Sequence, residues 1–236
     1  MKRLSTAWLV LAVLFVCAPA CRKPVEKPVE PKVETGDLLF VGIPRSYEEN
    51  SMAEAIVEAT SRGDTVNFIH TAILEVDSLG VVWVIDATLA HGVDRHPLDT
   101  LLADFTLHKP GAVETFEVWR LKDNHNAARC VQHAKAMLGE PYDLYFKGSN
   151  GRHYCTELIY DAYVDDAGNP IFEATPMNFK DKEGNMPVYW EKLFAELGEP
   201  VPQGEPGTNP QMMRESPALV KVLSWTRQTP ENEHSE

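Results

Sequence analysis

Basic residues are scarce in this sequence of 236 residues. It has 22 lysines and arginines against 35 aspartates and glutamates, which gives a formal net charge of −13. Such a charge makes the chain a poor candidate for binding nucleic acid or an anionic lipid surface. An internal repeat is also missing from the part that we expect to fold. With 44% hydrophobic and 24% charged residues, the composition suits one globular domain with appendages.

The N-terminal apolar run is too short for a good transmembrane helix. It covers only Ala7–Cys17. Lys2 and Arg3 precede it, and the small residues of Ala18-Pro19-Ala20 follow it, as at a signal-peptide cleavage site. We therefore predict a signal peptide over residues 1–20 and an exported protein.

Cys21 follows the cleavage point directly, as the lipidated cysteine of bacterial lipoproteins does. Residue 18 is alanine where the lipoprotein pattern usually has leucine, so plain secretion stays open. Residues 22–35 combine recurring proline with alternating lysine and glutamate, a semi-extended linker that cannot bury a core. We predict a lipidation site and linker over residues 21–35. The expected location is the bacterial cell envelope, membrane-anchored on the periplasmic or outer-surface side.

Residues 36–227 carry the periodic patterns of one folded domain, and residues 228–236 form a polar tail that we expect to be disordered. The segment Pro200–Pro217 is rich in proline and glycine and is predicted to be a surface loop. Predicted strands cover Asp37–Val41, Asn67–Val76, Val81–Thr88, Val113–Leu121 and Leu219–Trp225. Predicted helices cover Asn50–Ser61, Asn124–Leu138 and Met186–Leu197, and Leu98–Leu107 is either a short helix or a turn.

Cys155 lies where a polar, glycine-rich run ends and an apolar-periodic segment begins. Leu158, Ile159 and Ala162 recur at helical spacing, which places Cys155 at or near a helix N-terminus. The free N–H groups and the helix dipole there stabilise a thiolate, which makes the cysteine a candidate nucleophile. The alternative is an inert buried cysteine, so the context has to supply a base.

His70 and Asp86 lie on two neighbouring predicted strands. A three-residue loop, Asp77–Leu79, with Gly80 in the left-handed conformation would pair residues whose numbers sum to 156. In that register His70 and Asp86 face each other directly, and the carboxylate orients the imidazole as a catalytic base requires. A four-residue loop would offset the pair. The alternative for His70 is a satisfied core histidine.

Other polar clusters give weaker signals. His91, Asp94 and His96 fit neither a helix face nor a zinc-ligand pattern, so we predict a solvated loop and no metal site. Cys130 lies within a predicted helix and is assigned to packing. Tyr142 and Asp143 are either turn-formers or part of the site, and the sequence leaves both roles open.

The order of these motifs resembles a known family. The chain has Gly36-Asp37 before a strand, then His70, Asp86, Gly139-Glu140-Pro141-Tyr142-Asp143 and Tyr154-Cys155-Thr156-Glu157-Leu158. This resembles the circularly permuted NlpC-like papain-fold amidases, in particular the YiiX/YebB-like cysteine hydrolases, over about residues 36–225. The resemblance implies an α+β, permuted papain-like (NlpC-like) fold, with a small antiparallel sheet or open barrel flanked by helices.

The resemblance also implies roles for the residues at the matching positions. Cys155 is the nucleophile, His70 the base, and Asp86 the orienting residue, where the family often has glutamate. Tyr142, Asp143 and Tyr154 are the expected substrate contacts. No metal or organic cofactor is needed for the acyl transfer through a thioester that this set performs.

Two classes of activity follow from that resemblance. The first is an exported cysteine amidase or peptidase that cleaves cell-wall peptides or small peptide amides, with a peptidoglycan fragment as its substrate. The second is a lipid-directed acyltransferase or thioesterase, because the lecithin:retinol acyltransferase family resembles the same permuted fold. A non-catalytic envelope binding module is a third reading, disfavoured because Cys155, His70 and Asp86 are all present. The oligomeric state stays open.

Overall fold

A computed structural model describes residues 32–44, 51–61, 63, 65–109 and 111–229 of the chain. The signal peptide, the lipidated Cys21 and most of the linker predicted above lie outside the described residues, as do residues 230–236 of the predicted tail. Within the described part of the chain, no helix is both long and apolar enough to cross a membrane.

The described residues contain eight strands and six helices. The strands are β1 (Leu38–Pro44), β2 (Val66–Val76), β3 (Val82–Thr88), β4 (Gly92–Pro97), β5 (Val113–Leu121), β6 (Thr175–Pro176), β7 (Pro206–Gly207) and β8 (Leu219–Gln228). The helices are α1 (Met52–Thr60), α2 (Leu98–Asp104), α3 (Ala127–Ala136), α4 (Cys155–Ala162), α5 (Val188–Leu197) and α6 (Pro210–Arg214).

Six strands form one antiparallel sheet in the order β4-β3-β2-β1-β5-β8. β6 and β7 pair in a separate two-stranded sheet. The six-stranded sheet is open, and helices flank it, which confirms the predicted α+β architecture with a small antiparallel sheet.

β1 lies inside the sheet and is buried on both faces. Leu38 and Phe40 belong to a core cluster with residues of α3 and α4, whereas Leu39 and Val41 belong to a second cluster that includes Leu101 of α2. This alternation follows from the two-residue period of a strand. The first cluster holds α4 against the sheet, which places the start of α4 near β2.

A β-bulge interrupts β2 beside His70. Val41 of β1 pairs with His70, but the next residue, Gly42, pairs with Phe68, so Ile69 is the extra residue on β2. A bulge of this kind bends a strand and changes the direction of a side chain, and bulges are common beside active sites. The interruption falls on the segment that carries the predicted base.

The predicted register of the β2–β3 hairpin is wrong by two residues. The observed pairs are Val76–Val82 and Leu74–Val84, whose numbers sum to 158 rather than 156. Asp77 belongs to the stem, because its N–H donates to the carbonyl of Val81 and its carboxylate accepts from the N–H of Val81. The three-residue loop is therefore Ser78–Gly80, with Gly80 as its last residue at φ +81°. His70 and Asp86 are thus diagonal rather than direct neighbours.

Two segments predicted as loops form regular structure. His91, Asp94 and His96 were expected in a solvated loop, but Gly92–Pro97 is strand β4, paired with β3, and His96 is buried. The predicted surface loop Pro200–Pro217 contains β7 and α6, and Met213 of α6 enters the main core cluster. Asn209 caps α6, since its side chain accepts from the N–H of Met212 at 2.9 Å.

The folded part also begins before Gly36, where we expected the domain to start. Thr35 exchanges hydrogen bonds with the backbone of Val76, and Glu34 forms an ion pair with Arg120 at 2.8 Å. At the other end, β8 continues through Gln228, and Thr229 bonds to the backbone of Ala112.

Candidate active site

Cys155 is the first residue of α4, as the sequence predicts. Tyr154 before it has extended backbone angles, and the Glu157 carboxylate accepts the Tyr154 N–H at 3.3 Å, which fixes the entry of the chain into the helix. The N–H groups of a first helical turn have no acceptor within the helix. The thiol therefore lies beside several aligned backbone donors.

His70 is buried, with only 5% of its surface exposed, and lies between Cys155 and Asp86. Its Nε2 is 2.7 Å from the Asp86 Oδ2. The other ring nitrogen, Nδ1, is thus left for the hydrogen bond with the Cys155 thiol. Phe105 stacks on the imidazole with ring centroids 4.5 Å apart, which restricts rotation of the ring.

The charges around His70 favour the imidazolium. Burial by itself would lower the pKa of the imidazole, but the hydrogen bonds with Asp86 and Cys155 outweigh burial and raise the pKa to about 10. A protonated His70 beside a Cys155 thiolate is the resting ion pair of a cysteine hydrolase.

Asp86 is 1% exposed and has a histidine on each carboxylate oxygen. Oδ2 faces His70, and Oδ1 lies 3.0 Å from the Nε2 of His96 on β4. Burial would raise the pKa of Asp86, but the hydrogen bonds from the two histidines lower it to about 2. Asp86 is therefore ionised at neutral pH.

His96 is a partner of Asp86 that the sequence reasoning missed. Its Nε2 faces the carboxylate and its Nδ1 lies 3.2 Å from the Pro97 carbonyl oxygen. Both neighbours can only accept, an arrangement that favours the imidazolium form of His96. The hydrogen bond with Asp86 raises the pKa of His96 accordingly.

Cys155 lies where two concave pockets meet. The first pocket, of about 540 Å³, contains Cys155, Tyr154, Phe146 and Trp190 in its wall. The second, of about 570 Å³, contains Cys155, His70, Thr88 and Phe105. Tyr142 of the loop before α4 and Ile56 of α1 border both pockets. Cys155, the predicted nucleophile, thus lies where the two arms of one groove meet.

Comparison with known proteins agrees with this geometry. The sequence profile of one family, described as "Permuted papain-like amidase enzyme, YaeF/YiiX, C92 family", matches residues 32–223. The chain belongs to this family. It is a family of papain-like cysteine amidases and peptidases, so the predicted fold and the predicted enzyme class are both confirmed.

Two relatives show how far the similarity extends. The uncharacterized protein YiiX of Escherichia coli strain K12 is 31% identical over 94 residues, which are 40% of this chain and 46% of YiiX. The aligned segment thus spans less than half of that curated relative. The crystal structure titled metalloprotein yiiX from Escherichia coli O157:H7 has a TM-score of 0.61 and 26% identity, and covers 82% of this chain and 97% of its own.

The three predicted substrate contacts lie in different surroundings. Tyr142 borders both pockets, and its hydroxyl lies 3.7 Å from the Met52 sulfur. Tyr154 borders the first pocket, and its hydroxyl accepts the Thr208 N–H at 3.1 Å. Asp143 is fully buried, and its carboxylate accepts two backbone N–H groups of the following loop, as a turn-former does. The catalytic and substrate-binding roles of these residues stay predictions.

One further cysteine and two further histidines that the sequence singles out lie away from Cys155. Cys130 is buried in α3, and burial raises the pKa of its thiol. His153 hydrogen-bonds Asp161 at 3.1 Å and lines neither arm of the groove. His91 is exposed in the turn between β3 and β4. In the part of the chain that the structure describes, no group of three or more histidine, cysteine or acidic side chains is arranged to hold a metal ion.

Proposed function

We propose that this permuted papain-like amidase hydrolyses an amide through a thioester on Cys155, with His70 as acid and base. The observation that carries the proposal is the line Cys155–His70–Asp86 at the floor of an open groove. The thiolate attacks the carbonyl carbon, and the developing oxyanion lies near the Cys155 backbone N–H at the start of α4. This donor is fixed before the substrate arrives.

Proton transfers complete the reaction. His70 gives its proton to the leaving nitrogen as the carbon–nitrogen bond breaks, which leaves an acyl group on the Cys155 sulfur. Water then enters, His70 takes one of its protons, and the hydroxide oxygen attacks the thioester. The carbon–sulfur bond breaks and the carboxylic acid departs. Asp86 holds the imidazole in place and balances its charge in both steps.

The location and substrate belong to the same proposal. Signal-like residues 1–20 and Cys21 favour export and a lipid anchor in the bacterial envelope. An amidase tethered there meets cell-wall peptides and small peptide amides. The acidic composition makes nucleic acid a poor candidate for the substrate.

A metal has no place in this mechanism, although the solved YiiX structure is titled as a metalloprotein. In this chain the Nε2 atoms of His70 and His96 both point to Asp86, and Nδ1 of His96 faces a carbonyl oxygen. These nitrogens already have hydrogen-bond partners, which are Asp86 and a backbone carbonyl oxygen. Among the described residues, no group of three or more histidine, cysteine or acidic side chains is arranged to hold a metal ion, so this part of the chain does not fit a resident metal.

A second candidate is acyl transfer or thioester hydrolysis on a lipid. The apolar first pocket beside Cys155 favours it, because a fatty acyl chain would be buried by aromatic walls. The chemistry at Cys155 and His70 would be the same, and only the leaving group would be an alcohol or thiol.

One experiment separates these activities. The purified domain is incubated with peptidoglycan fragments, with small peptide amides and with phospholipid vesicles, and products and acyl-enzyme are identified by mass spectrometry. Amide products and an acyl adduct on Cys155 support the proposal, and a fatty acyl adduct supports the second candidate. Cys155→Ala should abolish both, whereas Cys130→Ala, the same change at the other described cysteine, should retain activity. Equal activity of Cys155→Ala and wild type would refute the proposal.

A further inference from the structure

The two arms of the groove differ in one functional respect: His70 borders only the second. In the proposed reaction His70 protonates the leaving nitrogen, so the leaving group must lie on the His70 side of Cys155. The acyl part of the substrate must then extend to the opposite side of the sulfur. This assigns the leaving group to the second pocket and the acyl group to the first.

Apart from the Cys155 nucleophile, the described residues that line the first pocket include no acidic or basic side chain. Aromatic side chains dominate it, with Phe146 packed edge-on against Phe179 and Trp190. The polar groups in the wall are hydroxyls, phenols and side-chain amides. A charged acyl-side group would lose its hydration here without gaining a counter-ion. An apolar group would gain from burial.

We propose that the first pocket selects substrates whose acyl side carries an uncharged, apolar side chain or acyl chain. This rests on the proposed function and narrows its substrate class. The pocket opens directly beside Cys155, so the part of the substrate attached to the thioester carbon enters it first. Peptides whose acyl-side residue is aliphatic or aromatic are preferred, and those with an acidic or basic residue there are poor substrates.

Helix α1 offers a matched pair of variants for the test. Ala59 lines the first pocket and Ala53 lines the second, and both are partly exposed alanines on one helix. Ala59→Phe therefore fills the acyl side, and Ala53→Phe fills the leaving-group side. Circular dichroism and thermal unfolding show whether each variant is folded.

The substrates are 7-amino-4-methylcoumarin amides of N-acetylated leucine, phenylalanine, glutamate and lysine, which share one leaving group. For the wild-type domain, kcat/KM for the leucyl and phenylalanyl amides should exceed that for the charged pair by at least about tenfold. Ala59→Phe should reduce this ratio. Ala53→Phe should leave the order of kcat/KM among the four substrates unchanged. Its loss of rate should be smaller for simple amides, whose leaving group is ammonia rather than the bulky aminocoumarin.

Chloromethyl ketones of the same four residues give a readout that does not need turnover. The Cys155 sulfur displaces chloride, and the rate of the mass increase reports how well each side chain occupies the pocket. Equal or faster reaction of the charged pair, with amides or ketones, overturns the pocket assignment and leaves the amidase mechanism standing. Selective alkylation without hydrolysis of any amide instead removes the proposed function while the apolar selectivity of the pocket stands.

Discussion

Asp86 binds two histidines of the candidate site, whereas an orienting residue needs only one such partner. Two buried histidines share its carboxylate, and the hydrogen bonds with Asp86 raise the pKa of both. With a Cys155 thiolate, the four side chains form two ion pairs of net charge zero. A buried set of charges is stable only when each member has its partner. The loss of any one of them should therefore change the charge state of the others.

Asp86→Asn tests this dependence. The amide removes the negative charge that holds two imidazolium groups together, so His70 should lose its proton at a lower pH. The alkaline limit of the pH–rate profile should then move down from the region near the His70 pKa of about 10. We expect a rate loss of about 10²-fold or more at neutral pH. Asp86→Glu should retain activity because it keeps the charge.

The two Asp86 variants together decide the assignment. The measurement is kcat/KM against pH for one peptide amide, with thermal unfolding to show that each variant is folded. Near-normal activity in Asp86→Ala, or complete loss in a folded Asp86→Glu, would mean that another residue orients His70.

His96→Gln tests the second imidazolium. The glutamine amide can still donate to Asp86 but carries no charge, so the carboxylate is left to His70 alone. The pKa of His70 should rise further, and the alkaline limit of the pH–rate profile should shift to higher pH with kcat within about tenfold of wild type. A purely structural role would lower stability and leave the profile where it is. That outcome would contradict a positioning role for His96.

At the scale of single elements, local patterns predicted most strands and helices. β5 has the predicted bounds, and α3 lies within its predicted segment, because amphipathic period and terminal residues specify such elements locally. The hairpin register was missed because the Asp77 carboxylate accepts the N–H groups of Leu79 and Val81, which moves Asp77 into the stem. The bulge at Ile69 depends on pairing with β1 and leaves no pattern in β2 itself.

Strand β4 shows why part of the site escaped prediction. A three-residue turn closed by Gly92 joins β3 to β4, and Gly92 lies in the left-handed region at φ +67°. A glycine at the end of a short turn is the same signal that predicted the hairpin at Gly80. The polar residues His91, Asp94 and His96 nevertheless favoured a loop. His96 can be buried in a strand because it hydrogen-bonds Asp86, and Asp86 lies on the neighbouring strand β3. Only tertiary contacts supply that information.

Gly92→Ala should destabilise the fold far more than Gly80→Ala. Both glycines have positive φ, but an added Cβ at Gly92 would lie 2.3 Å from the Glu140 carbonyl oxygen, whereas Gly80 has open space. Gly80→Ala should cost about 1–2 kcal/mol from backbone strain alone. Gly92→Ala should cost roughly 2–4 kcal/mol. Chemical denaturation measures both, and equal losses would show that the contact with Glu140 relaxes freely.

The start of α4 contains an acid whose environment opposes its charge. Burial, and next the nearby Asp143, raise the pKa of Glu157 to about 8. Its raised folded-state pKa contributes stability that is complete below the unfolded value of about 4.3 and is lost as the pH rises through about 8. Glu157→Gln keeps an acceptor for the Tyr154 N–H. The melting temperature of the Glu157→Gln variant should therefore exceed that of wild type above pH 8. If the difference between the two melting temperatures is the same from pH 5 to pH 9, the pKa of Glu157 is not raised.

At the scale of the whole molecule, the C-terminal segment packs against the six-stranded sheet. Arg214 at the end of α6 bonds to Glu117 of β5 at 2.5 Å and lies over the Phe68 ring at 4.4 Å. Lys221 of β8 adds a second cation to Glu117 at 2.6 Å. The proline and glycine content predicted a surface loop here. Such a composition indicates where the backbone bends, but it does not indicate that Met213 and Arg214 contact the sheet. The Asn209-Pro210 pair was the usable signal, a helix cap followed by proline.

The last prediction concerns how the whole chain is attached. Cys21 lies outside the described residues, and every side chain of the candidate site lies between residues 36 and 227. Anchoring and catalysis should therefore be separable. In a bacterial host the full chain should be cleaved before Cys21 and carry lipid there, as intact-mass analysis of envelope extracts would show. Cys21→Ser should move the protein to the soluble fraction with kcat/KM on a soluble amide unchanged. An unmodified cysteine at the mature N-terminus would leave simple secretion, and loss of activity in soluble Cys21→Ser would show that the anchor takes part in the reaction.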